Sequence, residues 1–212
     1  MLMKFKAGSL LVIIAVLFCF IGNSKTAIAP DLPKMQPDWI SLFNGKDLTG
    51  FTSRGNAVWT VRDGVLFGEG GRGHIYADPV VKNFEIKGEF RITNKGKGAN
   101  SGLYFRAHPQ KDDPNSFPEG YEAQICNNQE ASTGWLWKPA TPTGKASALL
   151  TKDGEWFQMR VKAMGSLIQI WVKDSLVMTH ADEEYKEGQF AIQCHNDHML
   201  VEVRNLYYIP IK

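Results

Sequence analysis

The 212-residue chain holds 24 Lys and Arg against 22 Asp and Glu, and 43% of it is apolar. Without Lys4, Lys6 and Lys25 near the start, the 24 bases fall to 21 against an unchanged 22 acids. That balance speaks against nucleic acid as a partner.

Taken in chain order, MLMKFK is followed by the apolar run LLVIIAVLFCFIG and the small, polar NSKTAIA, the build of a secretory signal peptide over residues 1–29. The apolar run is short for a transmembrane span, so the mature protein is expected to be exported, periplasmic or extracellular, with no stable membrane span. PDLPKMQP (30–37) reads as an irregular tether, and residues 38–212 suffice for one domain with its own core.

From there the signals are those of strands. VWTVRDGVLFG (58–68) reads as a hairpin turning at Asp63-Gly64. GEGGRG (68–73) does not lead from a strand into a helix, so it is a connection and not a phosphate loop. FEIKGEFRI (84–92) alternates apolar and charged residues strictly. SGLYFRA, YEAQIC, GQFAIQC and LVEVRNLYYI add four strands, and WFQMRVKAM with LIQIWVKD forms a hairpin about Gly165-Ser166. Residues 108–120 and 127–146 are expected to be long loops. Many short strands joined by turns predict an all-β fold, a sandwich or a barrel.

Alternation separates two kinds of polar face. Around Phe84 and Val161 it is mixed Glu, Lys and Arg, a solvated surface. On four other strands it pairs Tyr104 with Arg106, Glu122 with Gln124, Gln193 with His195, and Glu202 with Arg204. Hydrogen-bonding side chains of this kind on a rigid sheet, with Trp135 and Trp137 nearby for stacking, suit a carbohydrate. Cys126 falls on the polar face and Cys194 on the apolar one, so a disulfide is not expected.

The ordered set WISLFNGKDLTGF, W-x-V-x-D-G-V-L, NSGLYFR, YEAQI, DGEW and GQFAIQCH…VEVRNL resembles the DUF1080 family, also called the 3-keto-disaccharide hydrolase domain, over about residues 38–211. The resemblance implies a concanavalin A-like jelly-roll β-sandwich of two antiparallel sheets. It also implies cleavage of 3-keto-glycosides: a partner oxidoreductase makes the 3-keto group, a base removes the C2 hydrogen, the C1 aglycone is eliminated, and hydration completes a net hydrolysis. Jelly-roll glucanases resemble E-x-D-x-E instead, and the matching positions here are Glu122, Gln124 and Cys126. Only one acid of the pair needed for displacement remains.

Carried over by position, the resemblance makes His195 the candidate base. Glu122 would protonate the leaving group, orient the sugar or bind a divalent metal ion. Arg106 would hold the enolate or a hydroxyl, with Gln124, Gln193, Tyr104 and Trp137 binding substrate. Arg204-Asn205 is expected to be structural, with Arg204 bracing the strand that returns past the site. His198 with Asp197 is a weak metal signal, and His74 is a residue that could approach the same face. Asn127, Phe157 and Asn196-Asp197 depart from the family pattern, and the first is expected to remove a metal or hydroxyl ligand. The alternative is a non-catalytic carbohydrate-binding module.

Overall fold

The computed structural model describes residues 38–96, 98–128 and 130–212, so the expected signal peptide and tether lie outside the described residues. Among the described residues fifteen strands follow one another in chain order, with no helix between them. They are β1 (Ile40–Ser41), β2 (Phe51–Gly55), β3 (Val58–Arg62), β4 (Val65–Glu69) and β5 (Gly73–Val81). Next come β6 (Phe84–Asn94), β7 (Asn100–His108), β8 (Glu119–Cys126), β9 (Leu136–Lys138) and β10 (Thr141–Gly144). The last five are β11 (Phe157–Met164), β12 (Leu167–Val172), β13 (Ser175–Ala181), β14 (Gly188–Cys194) and β15 (Met199–Pro210).

Every pairing is antiparallel. One sheet runs β13-β12-β11-β6-β15-β4-β3, with β1 added beside β15, and the other runs β10-β9-β8-β7-β14-β5-β2. Alternation supplies the core between them. Phe84, Ile86, Phe90 and Ile92 of β6 face Leu103 and Phe105 of β7, Ala123 and Ile125 of β8, and Phe190 and Ile192 of β14 in one buried cluster. The rings of Phe84 and Phe190 meet edge to face at 4.8 Å, an arrangement favoured by their quadrupoles. Two turns are built as the sequence predicts. Asp63 and Gly64 both take positive φ (50° and 76°), as a two-residue hairpin of this twist requires, and Gly165-Ser166 joins Met164 to its partner Leu167.

The two expected loops come out differently. Residues 108–120 connect β7 to β8 largely as irregular chain, whereas 127–146 contains β9 and β10, which extend the seven-stranded sheet beyond β8.

The polar surface of the eight-stranded sheet is self-contained. Glu202 pairs with Arg91 at 2.5 Å, Arg204 with Glu89 at 2.7 Å, and Arg160 with Glu85 at 2.9 Å. Arg91 and Arg204 also cover the Trp156 ring, and Arg160 lies 3.7 Å from the Trp171 centroid. This corrects the expectation that LVEVRN shares a sheet with the other three polar strands. β15 lies in the opposite sheet, so Glu202 and Arg204 are on the far side of the sandwich from Glu122.

Candidate functional site

The outer surface of the seven-stranded sheet has a different chemistry. Strand register aligns Trp137 of β9, Glu122 of β8, Tyr104 of β7, Ala191 of β14 and Tyr76 of β5 in one row across five strands. One pleat along, Gln124 is opposite Gly102, and Gln193 is opposite His74. The glycine is required by space. A Cβ on Gly102 would stand 2.1 Å from Glu122 Oε1 and 2.5 Å from its Cγ, so the Glu122 side chain lies in the gap that Gly102 leaves.

Above this floor is a hollow of about 240 Å³, just below the usual size of small-molecule sites, walled mainly by Glu122, Gln124, Gln193, His195, Phe117 and Trp137. Oriented so that its nitrogen meets acceptors, the Gln124 amide donates to Ser101 O at 2.9 Å and to Glu122 Oε1 at 3.0 Å. Glu122 has no ion-pair partner among the described residues. Neither Arg106 nor Arg204 reaches it. Burial pushes its carboxyl up to about 8, with the Tyr104 phenol pulling the other way, so near neutral pH it is a proton donor. The Tyr104 hydroxyl itself accepts from Gln193 Nε2 at 3.1 Å.

His195 follows the last residue of β14. Its ring stacks on Phe117 of the 108–120 loop at 6.0 Å, and the Arg72 guanidinium covers the other partner, 5.2 Å from the Phe117 centroid. Burial, then the Arg72 charge, hold the imidazole below its ordinary value, which keeps it neutral and able to accept a proton. His74 lies beneath, fully buried, with its Nε2 3.3 Å from Gln193 Nε2. Burial first, then Arg72 and His195, bring His74 down to about 3.

Of the predicted site residues, Glu122, Gln124, Gln193, His195 and Trp137 therefore line one hollow, and Tyr104 supports its floor. Arg106 does not join them. It is the extra residue of a β-bulge in β7, with φ at 49°, which breaks the alternation that would have put it beside Tyr104. Its buried guanidinium donates to Lys82 O (2.9 Å), Tyr185 O (3.1 Å) and Gly165 O (2.9 Å), tying β7 to the β11–β12 turn of the other sheet. A smaller hollow of about 160 Å³ beside it belongs to this clamp.

Trp135 is also outside the hollow, under Lys145. His198 pairs with Asp197 at 3.2 Å on the turn. Asn127 is engaged structurally, donating to Asp153 at 2.6 Å and accepting from Thr151 at 2.5 Å. Phe157 packs in the core beside Phe90. Among the described residues no three His, Cys, Asp or Glu side chains gather as a metal cage. The immediate neighbours of Glu122 are an amide and a phenol, which do not extend a carboxylate into a cation site.

Phe117 and Arg72 are the residues that sequence reading missed. Both come from connections, where no periodicity marks a direction. The arrangement is nonetheless unfinished. Five buried side-chain polar atoms lack a partner among the described residues, and four of them belong here: His74 Nδ1, Trp137 Nε1, Gln193 Oε1 and His195 Nδ1. Buried polar groups are rarely left so, and their concentration at one hollow points to a polar ligand.

A family model, the 3-keto-alpha-glucoside-1,2-lyase-like domain, matches residues 38–208. The chain belongs to this family. Membership gives the lyase-like domain a carbohydrate-related function. Comparison with curated protein sequences found no match. Among solved structures, the domain is similar to a proposed glycosyl hydrolase of Parabacteroides distasonis, with TM-score 0.65, 18% identity and coverage of 82% of this chain and 94% of that one. It is also similar to the carbohydrate-binding module CBM66 of Bacillus subtilis, at TM-score 0.60, 18% identity and coverage of 75% and 94%. A Bacillus subtilis protein with a galectin-like fold matches at TM-score 0.63 and 10% identity, covering 76% and 89%. At these identities the likeness is one of fold, and the fold is the concanavalin A-like jelly-roll sandwich.

Proposed function

We propose that this protein is an exported enzyme that cleaves 3-keto-glycosides by elimination, with His195 as the base and Glu122 as the proton-bearing partner of the ketone. One observation carries the reading. A single hollow joins an imidazole kept neutral to a carboxyl kept protonated, and among the described residues no second acid lines it. Displacement at C1 needs two carboxyl groups. Elimination needs a base at C2 and a donor at O3.

The steps follow from the ring. A 3-ketone acidifies C2–H, and His195 takes that proton while charge moves onto O3. Arg106, bound to three carbonyls, is not free to meet that charge. Glu122 is, and a carboxyl held protonated by burial is a good donor to a forming enolate. The electron pair then forms C1=C2, the C1–O bond breaks, and the aglycone oxygen leaves with its pair and gains a proton. Adding water across C1=C2 gives the 3-keto sugar. On this reading the 3-keto substrate comes from an oxidoreductase acting on the sugar's 3-hydroxyl. The rings of Trp137 and Phe117 suit the apolar face of a sugar.

The competing reading, a sugar-binding module, draws on the same rings and on the likeness in fold to CBM66. Turnover separates them. The purified mature protein is expected to cleave a 3-keto-glucoside and not its parent glucoside. Deuterium at C2 should slow kcat/KM by a primary isotope effect. Binding of both sugars without turnover of either would establish the module instead. Turnover with no isotope effect would rule out rate-limiting C2–H cleavage by His195.

A further inference from the structure

His195 borders two hollows. The second, about 390 Å³, is walled by Arg72, Asn100, Cys126, Asn128, His195 and Asn196. Asn100 and His195 belong to both, so the two meet at the imidazole. Their chemistry is unlike. Beyond the shared imidazole, the first contains the rings of Phe117 and Trp137 and the carboxyl of Glu122. The second contains, among the described residues, no further ring and no carboxylate, but three amides and the guanidinium of Arg72.

That cation is not neutralised. Arg72 has no carboxylate within salt-bridge distance among the described residues. Its Nε reaches His195 O at 3.4 Å and its plane covers Phe117, and neither contact cancels a charge. Asp113 is exposed and feels Arg72 only at a distance, and Asp153, also exposed, is bonded to Asn127; neither lines the hollow.

The order of groups also matches the order of atoms in the proposed reaction. Glu122 lines only the first hollow, His195 both, and Arg72 only the second. Along the sugar ring the reacting atoms run C3, C2, C1. With the ketone at Glu122 and C2–H at His195, the C1–O bond is directed into the second hollow. On the reading given above, we propose that this second hollow receives the leaving group and that Arg72 makes the enzyme select aglycones carrying an anion. Arg72 also faces the oxygen on which negative charge develops as the C1–O bond breaks. The proton that oxygen needs is the one His195 has just removed from C2. Its transfer returns the imidazole to the neutral form and balances the step as keto-glycoside to enone plus free aglycone.

Three 3-keto-glucosides test this, with 4-(carboxymethyl)phenyl, 4-methylphenyl and 4-(aminomethyl)phenyl aglycones, whose charges are insulated from the leaving oxygen by one CH₂. For the unmodified protein, kcat/KM is expected to be about fivefold higher for the anionic aglycone than for the neutral one, and lower again for the cation. Arg72→Gln should flatten that ratio. Asn128→Asp provides an independent variant away from the Phe117 stack. Asn128 Oδ1 caps the backbone N–H groups of Glu130 (3.0 Å) and Ala131 (2.9 Å), a role an aspartate keeps, so the change places an anion in the wall without dismantling the turn. It should narrow the ratio or invert it. Equal kcat/KM for all three aglycones in the unmodified protein, or a ratio that survives both variants, overturns the assignment of this hollow alone. Failure to cleave any of the three overturns the elimination reaction itself.

Discussion

Glu122 occupies the space that Gly102 leaves on the neighbouring strand, with its Oε1 2.1 Å from where a Cβ would stand. The carboxyl thus lies flat over the sheet, boxed by Tyr104 and Gln124, in a position that no longer side chain at 102 would permit.

Gly102→Ala is the direct test of that packing. The backbone at 102 is ordinary strand, so the sheet itself accepts an alanine, but the Glu122 side chain must move. Activity on a 3-keto-glucoside should fall about 100-fold for a displacement on the order of 1 Å. Circular dichroism should still report a folded β protein. Unchanged kcat/KM would mean that the position of Glu122 is immaterial.

The opposed shifts at His195 and Glu122 fix a pH profile. In the proposed reaction His195 works as the neutral base, so kcat/KM should drop as pH falls through its lowered value, below the ordinary 6.5. Glu122 is proposed to work protonated, so kcat/KM should drop again as pH rises through about 8. The plateau lies between. Glu122→Gln keeps a neutral donor but cannot ionise, and should lose the alkaline limb while retaining the acid one. An alkaline limb that persists in the variant would assign it to another group.

Arg106 is expected to matter for stability and not for the site. Arg106→Gln removes the three guanidinium donors that hold these carbonyls, at about 1 kcal/mol each, so destabilisation should reach about 3 kcal/mol. For a domain of this size that is a fall in Tm of roughly 6–12 °C. At a temperature where the variant is folded, KM should be close to that of the unmodified protein. A large rise in KM with an unchanged Tm would restore Arg106 to the substrate site.

What the sequence disclosed follows from where the chain is regular. In β8 the alternation is unbroken, so Glu122 and Gln124 could be assigned to a common face, and Gln193 and His195 likewise at the end of β14. In β7 the rule fails at one residue. Arg106 takes a left-handed conformation at a bulge, and nothing in NSGLYFR announces the insertion. Alternation also says which residues share a face of one strand, not which strands share a sheet, and Glu202 and Arg204 were misplaced for that reason. Strand β9 was hidden in an expected loop because three residues are too few to show a period. Arg72 and Phe117 are positioned by a glycine-rich turn and by the 108–120 loop, where direction is set by tertiary packing alone.

Cys126 and Cys194, the cysteines of the described residues, are both free, with Cys194 sealed in the core and Cys126 buried at the edge of the second hollow. Burial raises both thiols, Cys194 to about 11, so little thiolate exists near neutral pH. The domain therefore assembles without any oxidative step and has no cross-link to lose. Reducing and oxidising conditions are expected to give the same fold, with thiol reagents neither needed nor harmful.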